Sequence, residues 1–196
     1  MMRISIGILC GGKGRRMGRD KALLQCGAPN APTFLEHMLR EFAGAPELLV
    51  SVRRGQNYGP QAVHCRYLED QREDCGPLEG IRRVLQEMRT EYAFICAVDM
   101  PFVTKKTVEY LEQMISEDDD AWVFEDVTGI HPACAVYSRK VLPVLEEQLA
   151  AEDYRIRGLL ARVRTRYVSL EASPLDQNTL QNINTPEDYR KLCGYI

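Results

Sequence analysis

Ile4-Ser5-Ile6-Gly7-Ile8-Leu9-Cys10-Gly11-Gly12-Lys13-Gly14-Arg15-Arg16-Met17-Gly18-Arg19-Asp20-Lys21 is the stretch that decides how this chain folds. The apolar run Ile4 to Cys10 has the composition of a buried strand, and it opens into Gly11, Gly12, Gly14 and Gly18 before a helix-like pattern begins. Glycines at such an exit leave backbone N–H groups free to point at phosphate oxygens. Lys13, Arg15, Arg16, Arg19 and Lys21 supply the opposing charge. Cations this dense also suit a solvated helix face, but their adjacency to the glycines favours a cradle for a nucleoside triphosphate. The spacing excludes two common cradles. A dinucleotide fingerprint starting at Gly12 needs glycine where Met17 stands, and no frame offers the G-K-S/T ending of an ATPase P-loop.

Outward from this stretch, strand-like and helix-like segments alternate. Strand-like runs lie at Ile4 to Cys10, Glu47 to Val52, His64 to Leu68 and Tyr92 to Val98, with further strands near Ala121 to Glu125 and Ala133 to Tyr137. Helix-like patterns lie at Lys21 to Leu24, Phe34 to Phe42, Leu78 to Met88, Thr104 to Met114 and Lys140 to Leu149. Thr33-Phe34-Leu35-Glu36 is a capping-box sequence, Pro77 suits the first turn of a helix, and Thr185-Pro186 marks another helix start. The β-α-β order predicts a parallel sheet with helices on both faces. Ligands of such sheets bind at the carboxyl ends of the strands, where the glycine loop, Asp70 and Asp99 all fall.

At 196 residues, 45% hydrophobic and 27% charged, the chain is expected to form one domain over 1–196. With 25 basic against 28 acidic side chains its net charge is −3, so bulk electrostatics give no reason to expect nucleic acid as a partner. Its amino terminus is too briefly apolar for a signal peptide, and no run approaches the ~18 apolar residues of a membrane span. The expected location is the cytoplasm, without membrane contact. Seven cysteines, with no C-x-x-C pair, suggest reduced and mostly buried thiols rather than disulfides or a zinc site.

The opening stretch fits L-x-G-G-x-G-x-R-M-G-x-D-K, the signature of nucleotidyltransferases that join a nucleoside monophosphate to a phosphorylated acceptor. Other segments extend the match: Leu68-Glu69-Asp70, Cys75-Gly76-Pro77-Leu78-Glu79-Gly80, Cys96-Ala97-Val98-Asp99-Met100-Pro101, His131-Pro132 and Asn182-Ile183-Asn184-Thr185-Pro186-Glu187. Over nearly its whole length the chain resembles the molybdenum cofactor guanylyltransferase family. That resemblance implies a Rossmann-like, three-layer α/β/α nucleotidyltransferase fold with a mostly parallel mixed sheet. It also implies transfer of GMP from GTP to the phosphate of molybdopterin, with release of pyrophosphate, and molybdoenzymes or their chaperones as recipients of the product.

Transfer of this kind asks the protein to align two anions and neutralise their charge, without a covalent nucleophile. The resemblance makes Arg16 and Lys21 the stabilisers of the transferring phosphate, and places the nucleotide on Leu9, Cys10, Gly11, Gly12, Lys21, Asp70 and Asp99. Asp99 ends an apolar strand and precedes Met100-Pro101, where a lone carboxylate beside phosphates suits Mg²⁺; capping a turn is the plainer duty for such a residue. The resemblance assigns Asp70 to the nucleotide, near guanine or ribose; a carboxylate suits guanine because it accepts from N1–H and the exocyclic amine together, while Glu69 competes for that role and the acidic run Glu69 to Asp74 also suits a solvated loop. Asn182, Asn184, His131 and Arg155 fall where the family meets its acceptor, although both asparagines also suit turn and cap duty. Arg53 stands where the family often has asparagine and is not carried over as a base reader. Cytidylyl transfer to molybdopterin, transfer to a sugar or polyol phosphate, and a non-catalytic nucleotide-binding regulator remain open alternatives.

Overall fold

Strand β1 (Ser5–Leu9) occupies the middle of the molecule, because its side chains are apolar or small enough to be buried on both faces. The computed structural model describes residues 2–12, 19–27 and 30–194. Parallel partners flank β1: β2 (Leu48–Val52) on one side and β4 (Tyr92–Ala97) on the other. Beyond β2 lies β3 (Arg66–Glu69), also parallel. Beyond β4 come β6 (Gly129–Ser138), β5 (Ala121–Asp126) and β7 (Thr165–Ser169), giving the order β3-β2-β1-β4-β6-β5-β7.

The sheet is mixed, not wholly parallel as the β-α-β alternation alone predicts: β6 runs antiparallel to both β4 and β5. The cause is local. A short turn at Asp126–Gly129, with φ of +128° at Gly129, joins β5 directly to β6 as a hairpin, leaving no room for a crossover helix.

Helices cover both faces. Ile6 and Ile8 point into a core closed by α1 (Phe34–Glu41) and α3 (Lys105–Glu112). The opposite face carries α2 (Pro77–Glu87), α4 (Leu142–Ala150) and α5 (Ile156–Arg162). This is the three-layer α/β/α arrangement. The last described element is α6 (Pro186–Gly194). Among the described residues, no helix is long and apolar enough to cross a membrane.

Local chemistry sets the helix starts. Thr33 and Glu36 form the reciprocal capping box on α1, at 2.8 and 3.2 Å. Gly76, at φ +60°, turns the chain into α2 with Pro77 as its first residue. Thr185 and Asp188 cap α6 reciprocally, at 2.8 and 3.1 Å. The pattern at Lys21 to Leu24 forms a single 3-10 turn, Lys21–Leu23. Two elements, α5 and β7, carry no apolar periodicity that announces them. Strand β7 sits at the sheet edge and buries only Val168.

Helix α2 lies close on the sheet because Gly7 and Gly80 face each other's elements without side chains. A Cβ at Gly7 would stand 2.7 and 2.8 Å from the two Val84 methyls, and one at Gly80 would stand 2.7 Å from Ser51 Oγ. The γ-methyls of a valine swing aside only by shifting the helix. Gly7→Ala is therefore expected to destabilise the protein by about 1–3 kcal/mol, read as a lower urea midpoint with an unchanged m-value.

Candidate active site

Strands β1 to β4 are all parallel, so their carboxyl ends open on one edge, and the order 3-2-1-4 puts the reversal of winding between β1 and β4. A cleft of about 1120 Å³ lies along this edge. Its floor is Leu9, Cys10, Gly11 and Gly12 after β1, Ser51 and Arg53 at β2, Asp70 after β3, and Ala97 to Asp99 after β4. The amino-terminal end of α2, through Gly76, Pro77 and Gly80, forms one wall; Lys21 and Asn184 stand opposite, and Ala133 contributes from β6.

Lys21 begins the 3-10 turn, which Asp20 caps by accepting from Ala22 N–H at 3.0 Å. From there its ammonium donates to Asp99 Oδ2 at 2.7 Å and to Asn184 Oδ1 at 2.5 Å. Hydrogen bonds of the neighbouring backbone fix Asp99 and Asn184. Val98 N–H donates to Leu9 C=O at 3.1 Å, Ile183 N–H donates to Asp99 C=O at 2.8 Å, and the N–H groups of Asn184 and Thr185 converge on Asp188 Oδ2 at 3.0 and 2.8 Å. The side chains of Lys21 and Asp99 are 18% and 17% exposed, so the pair is shielded from bulk screening.

The other oxygen, Asp99 Oδ1, is buried and has no hydrogen-bond partner among the described residues. A carboxylate oxygen left unsatisfied in this way is costly, and a cation ligated there would relieve it. Among the described residues, no group of three or more His, Cys, Asp or Glu is arranged to hold a metal alone. A single carboxylate with an unsatisfied oxygen is a donor that Mg²⁺ could use, since that ion takes one or two carboxylates and completes its shell with phosphate oxygens and water.

At the other end of the cleft, Ser51 Oγ donates to Asp70 Oδ1 at 3.2 Å, and Asp70 Oδ2 would lie 3.3 Å from a Cβ on Gly11. Burial raises the Asp70 carboxyl from 3.8 to about 6; the Ser51 bond opposes this and the Glu79 charge adds to it. Glu79 itself is buried in the first turn of α2. Burial pushes its carboxyl up, but Arg82, at 2.8 Å to each oxygen, and Gln71 N–H at 2.9 Å leave it below its ordinary value. That network holds the loop after Asp70 against the helix.

The remaining expected residues fall into three groups. Arg16 lies outside the described residues. Cys10 is buried beneath the cleft, and burial first, then the charge of Asp20, pushes its thiol well up, away from nucleophilic use. Asn182, His131 and Arg155 do not line the cleft. The Asn182 amide reaches Leu180 C=O at 3.5 Å, His131 Nε2 pairs with Asp126 Oδ2 at 3.0 Å in the β5–β6 hairpin, and Arg155 folds back on Asp153 at 2.8 Å. Ser51, Gln56 and Glu79 line the cleft although no sequence pattern gives them a role there. Nothing in the neighbourhoods of Ser51 and Gln56 signals it, whereas Glu79 and Asp20 both stand inside the quoted segments.

Residues 6–168 match the MobA-like NTP transferase domain family. A Methanosarcina acetivorans protein named probable molybdenum cofactor guanylyltransferase is 36% identical over 205 residues, spanning 96% of this chain and 89% of the relative. The crystal structure of molybdopterin-guanine dinucleotide biosynthesis protein A from Archaeoglobus fulgidus superposes with a TM-score of 0.83 at 21% identity, over 98% of this chain and 100% of that one. The 2-C-methyl-D-erythritol 4-phosphate cytidylyltransferase of Thermus thermophilus gives 0.72 at 17% identity, over 99% and 98% of the two chains. At those identities the two structures speak for a shared fold alone.

The raised Asp70 carboxyl has a consequence for stability. Between its unfolded value of 3.8 and its folded value of about 6 the native state holds the extra proton, so stability falls as pH rises through this window and the cost is complete above it. Asp70→Asn keeps an acceptor for Ser51 and cannot ionise. It is expected to be more stable than the parent at about pH 7.5 and to lose that advantage at about pH 4, as urea unfolding at the two pH values reads out.

Proposed function

Because the chain belongs to the MobA-like NTP transferase family, we propose that it transfers GMP from GTP to the terminal phosphate of molybdopterin. An acceptor phosphate oxygen attacks the α-phosphorus, the bond from that phosphorus to the bridging oxygen breaks, and pyrophosphate leaves. The observation that carries the reading is the meeting of Lys21, Asp99 and Asn184 beside Gly11 and Gly12, at the point where the winding of the sheet reverses.

Both reacting groups are anions, so the protein's work is positioning and charge neutralisation. Gly11 and Gly12 offer backbone that phosphates can approach closely: among the described residues, Gly12 has nothing within 4 Å of a Cβ position, and Gly11 faces only Asp70 and the Arg53 stem. Lys21 acts as a point charge on the triphosphate. Asp99 would hold Mg²⁺ through its unsatisfied oxygen, and the ion, when bound, offsets triphosphate charge that one lysine cannot balance. Asn184, tied to Lys21, has amide donors and acceptors suited to the acceptor side.

Asp70 favours guanine. As a carboxylate it can accept from the two adjacent donors of that base, whereas cytosine offers it only one exocyclic amine. Arg53, at the same end of the cleft, is the feature that favours testing cytidylyl transfer alongside. We place the reaction in the cytoplasm, with hand-over of the dinucleotide to molybdoenzymes or their chaperones.

Purified protein incubated with molybdopterin, Mg²⁺ and each nucleoside triphosphate in turn is expected to release pyrophosphate with GTP. Turnover with CTP and none with GTP would reject the base assignment. Asp99→Asn is expected to lower turnover by at least about 100-fold while GTP still binds, more weakly, in calorimetry. Full activity in that variant would remove Asp99 from the mechanism.

A further inference from the structure

The turn that carries Lys21 is gripped by side chains from the loop that follows β2. Asp20, immediately before Lys21, accepts from Gln56 Nε2 at 2.6 Å and from the Tyr58 hydroxyl at 2.9 and 3.1 Å on its two oxygens, as well as from Ala22 N–H. Gln56 Nε2 also donates to the Tyr58 hydroxyl at 2.6 Å. The other end of the Gln56 amide accepts from Arg53 N–H at 3.1 Å, while Gln56 N–H donates to Arg53 C=O at 2.9 Å across a turn that Gly55 enters at φ +73°. Tyr58 is itself set in place by the ring of Tyr67, 6.4 Å away, whose hydroxyl donates to Gly59 C=O at 3.1 Å.

We propose that Gln56 and Tyr58 are positioning residues for nucleotide transfer, acting through Asp20 to fix the turn from which Lys21 reaches the triphosphate, and through Arg53 N–H to tie the base end of the cleft to that turn. The inference rests on the reading of the cleft as a nucleotide site. Its physical basis is the length of the lysine stem. A side chain with four rotatable bonds delivers its charge to one place only if its backbone is held. The Asp20–Ala22 cap and the bonds from Leu23 N–H to Asp20 C=O and from Leu24 N–H to Lys21 C=O set the form of the turn, and a carboxylate fixed from three directions anchors that turn to the cleft wall. Misplacing a charge by about 1 Å at a phosphoryl centre costs up to roughly 100-fold.

A double-mutant cycle tests this. Tyr58→Phe keeps the ring contact with Tyr67 and removes the hydroxyl, and Gln56→Leu removes the bridge at similar volume. Calorimetric titration with GTP and Mg²⁺ is expected to find binding weakened by roughly tenfold in either variant, and by less than about twofold when Lys21 has already been changed to Met, because residues that act through one group do not add. Equal losses in both backgrounds, or no loss with Lys21 present, would overturn the proposal. A second readout does not depend on nucleotide at all. Labelling of Lys21 by an amine-reactive reagent, followed by peptide mass spectrometry, is expected to quicken several-fold in both variants while Lys105, an exposed surface lysine, is unchanged. Unaltered Lys21 labelling would overturn the clamp. Absence of GTP binding by the parent protein, with labelling changed as expected, would instead reject the nucleotide reading and leave the clamp standing.

Discussion

A lysine and an aspartate 78 positions apart meet at 2.7 Å, and the functional half of the molecule is organised around that contact. Neither residue reaches the other through local structure. Lys21 arrives at the end of the glycine loop leaving β1 and Asp99 just past the end of β4, and the two strands are hydrogen-bonded neighbours running the same way. Parallel pairing at the centre of the sheet is thus the constraint from which the site follows. Had β4 paired antiparallel to β1, the aspartate would lie at the opposite edge, some 15 Å or more away over five residues at ~3.3 Å each.

The same constraint explains what surrounds the pair. Burial on both faces permits parallel strands, and the two apolar layers supply it, with Gly7 and Gly80 allowing α2 to settle onto β1 and β2. The start of α2 then faces the cleft, where the buried Glu79–Arg82 pair and Gln71 hold the loop after β3 and so the place of Asp70. Core packing and site geometry are one problem here. A side chain that pushed α2 outward would also move Glu79, which accepts from Gln71 N–H in the loop that follows Asp70.

How much of this was legible in the sequence depended on whether a residue's role is written in its neighbours. Strand β1, strand β4 before Asp99, the Thr33 capping box and the Gly76-Pro77 entry are local patterns, and each takes its expected form. Lys21, Asp99, Asp70 and Asn184 come together because the motifs sit at strand exits or at a helix cap. Strand β7 and helix α5 escaped because an edge strand that buries one residue, and a helix of seven, need no periodic apolar face. The antiparallel β6 was set by a hairpin turn rather than by its own composition. His131 and Arg155 are answered by Asp126 and Asp153, nearby carboxylates that a motif match does not weigh. Gln56 and Tyr58 lie in a loop of unremarkable sequence, and only the folded chain brings them to Asp20.

The central claim is that one edge of the sheet, where β1 and β4 end side by side, receives a nucleoside triphosphate. Amide hydrogen exchange of the full chain, with and without GTP and magnesium, addresses it most directly. The account predicts slowed exchange in peptides covering 9–12, 19–23, 97–100 and 183–185. Unaltered exchange throughout, or slowing confined to the hairpin around 126–131, would contradict it.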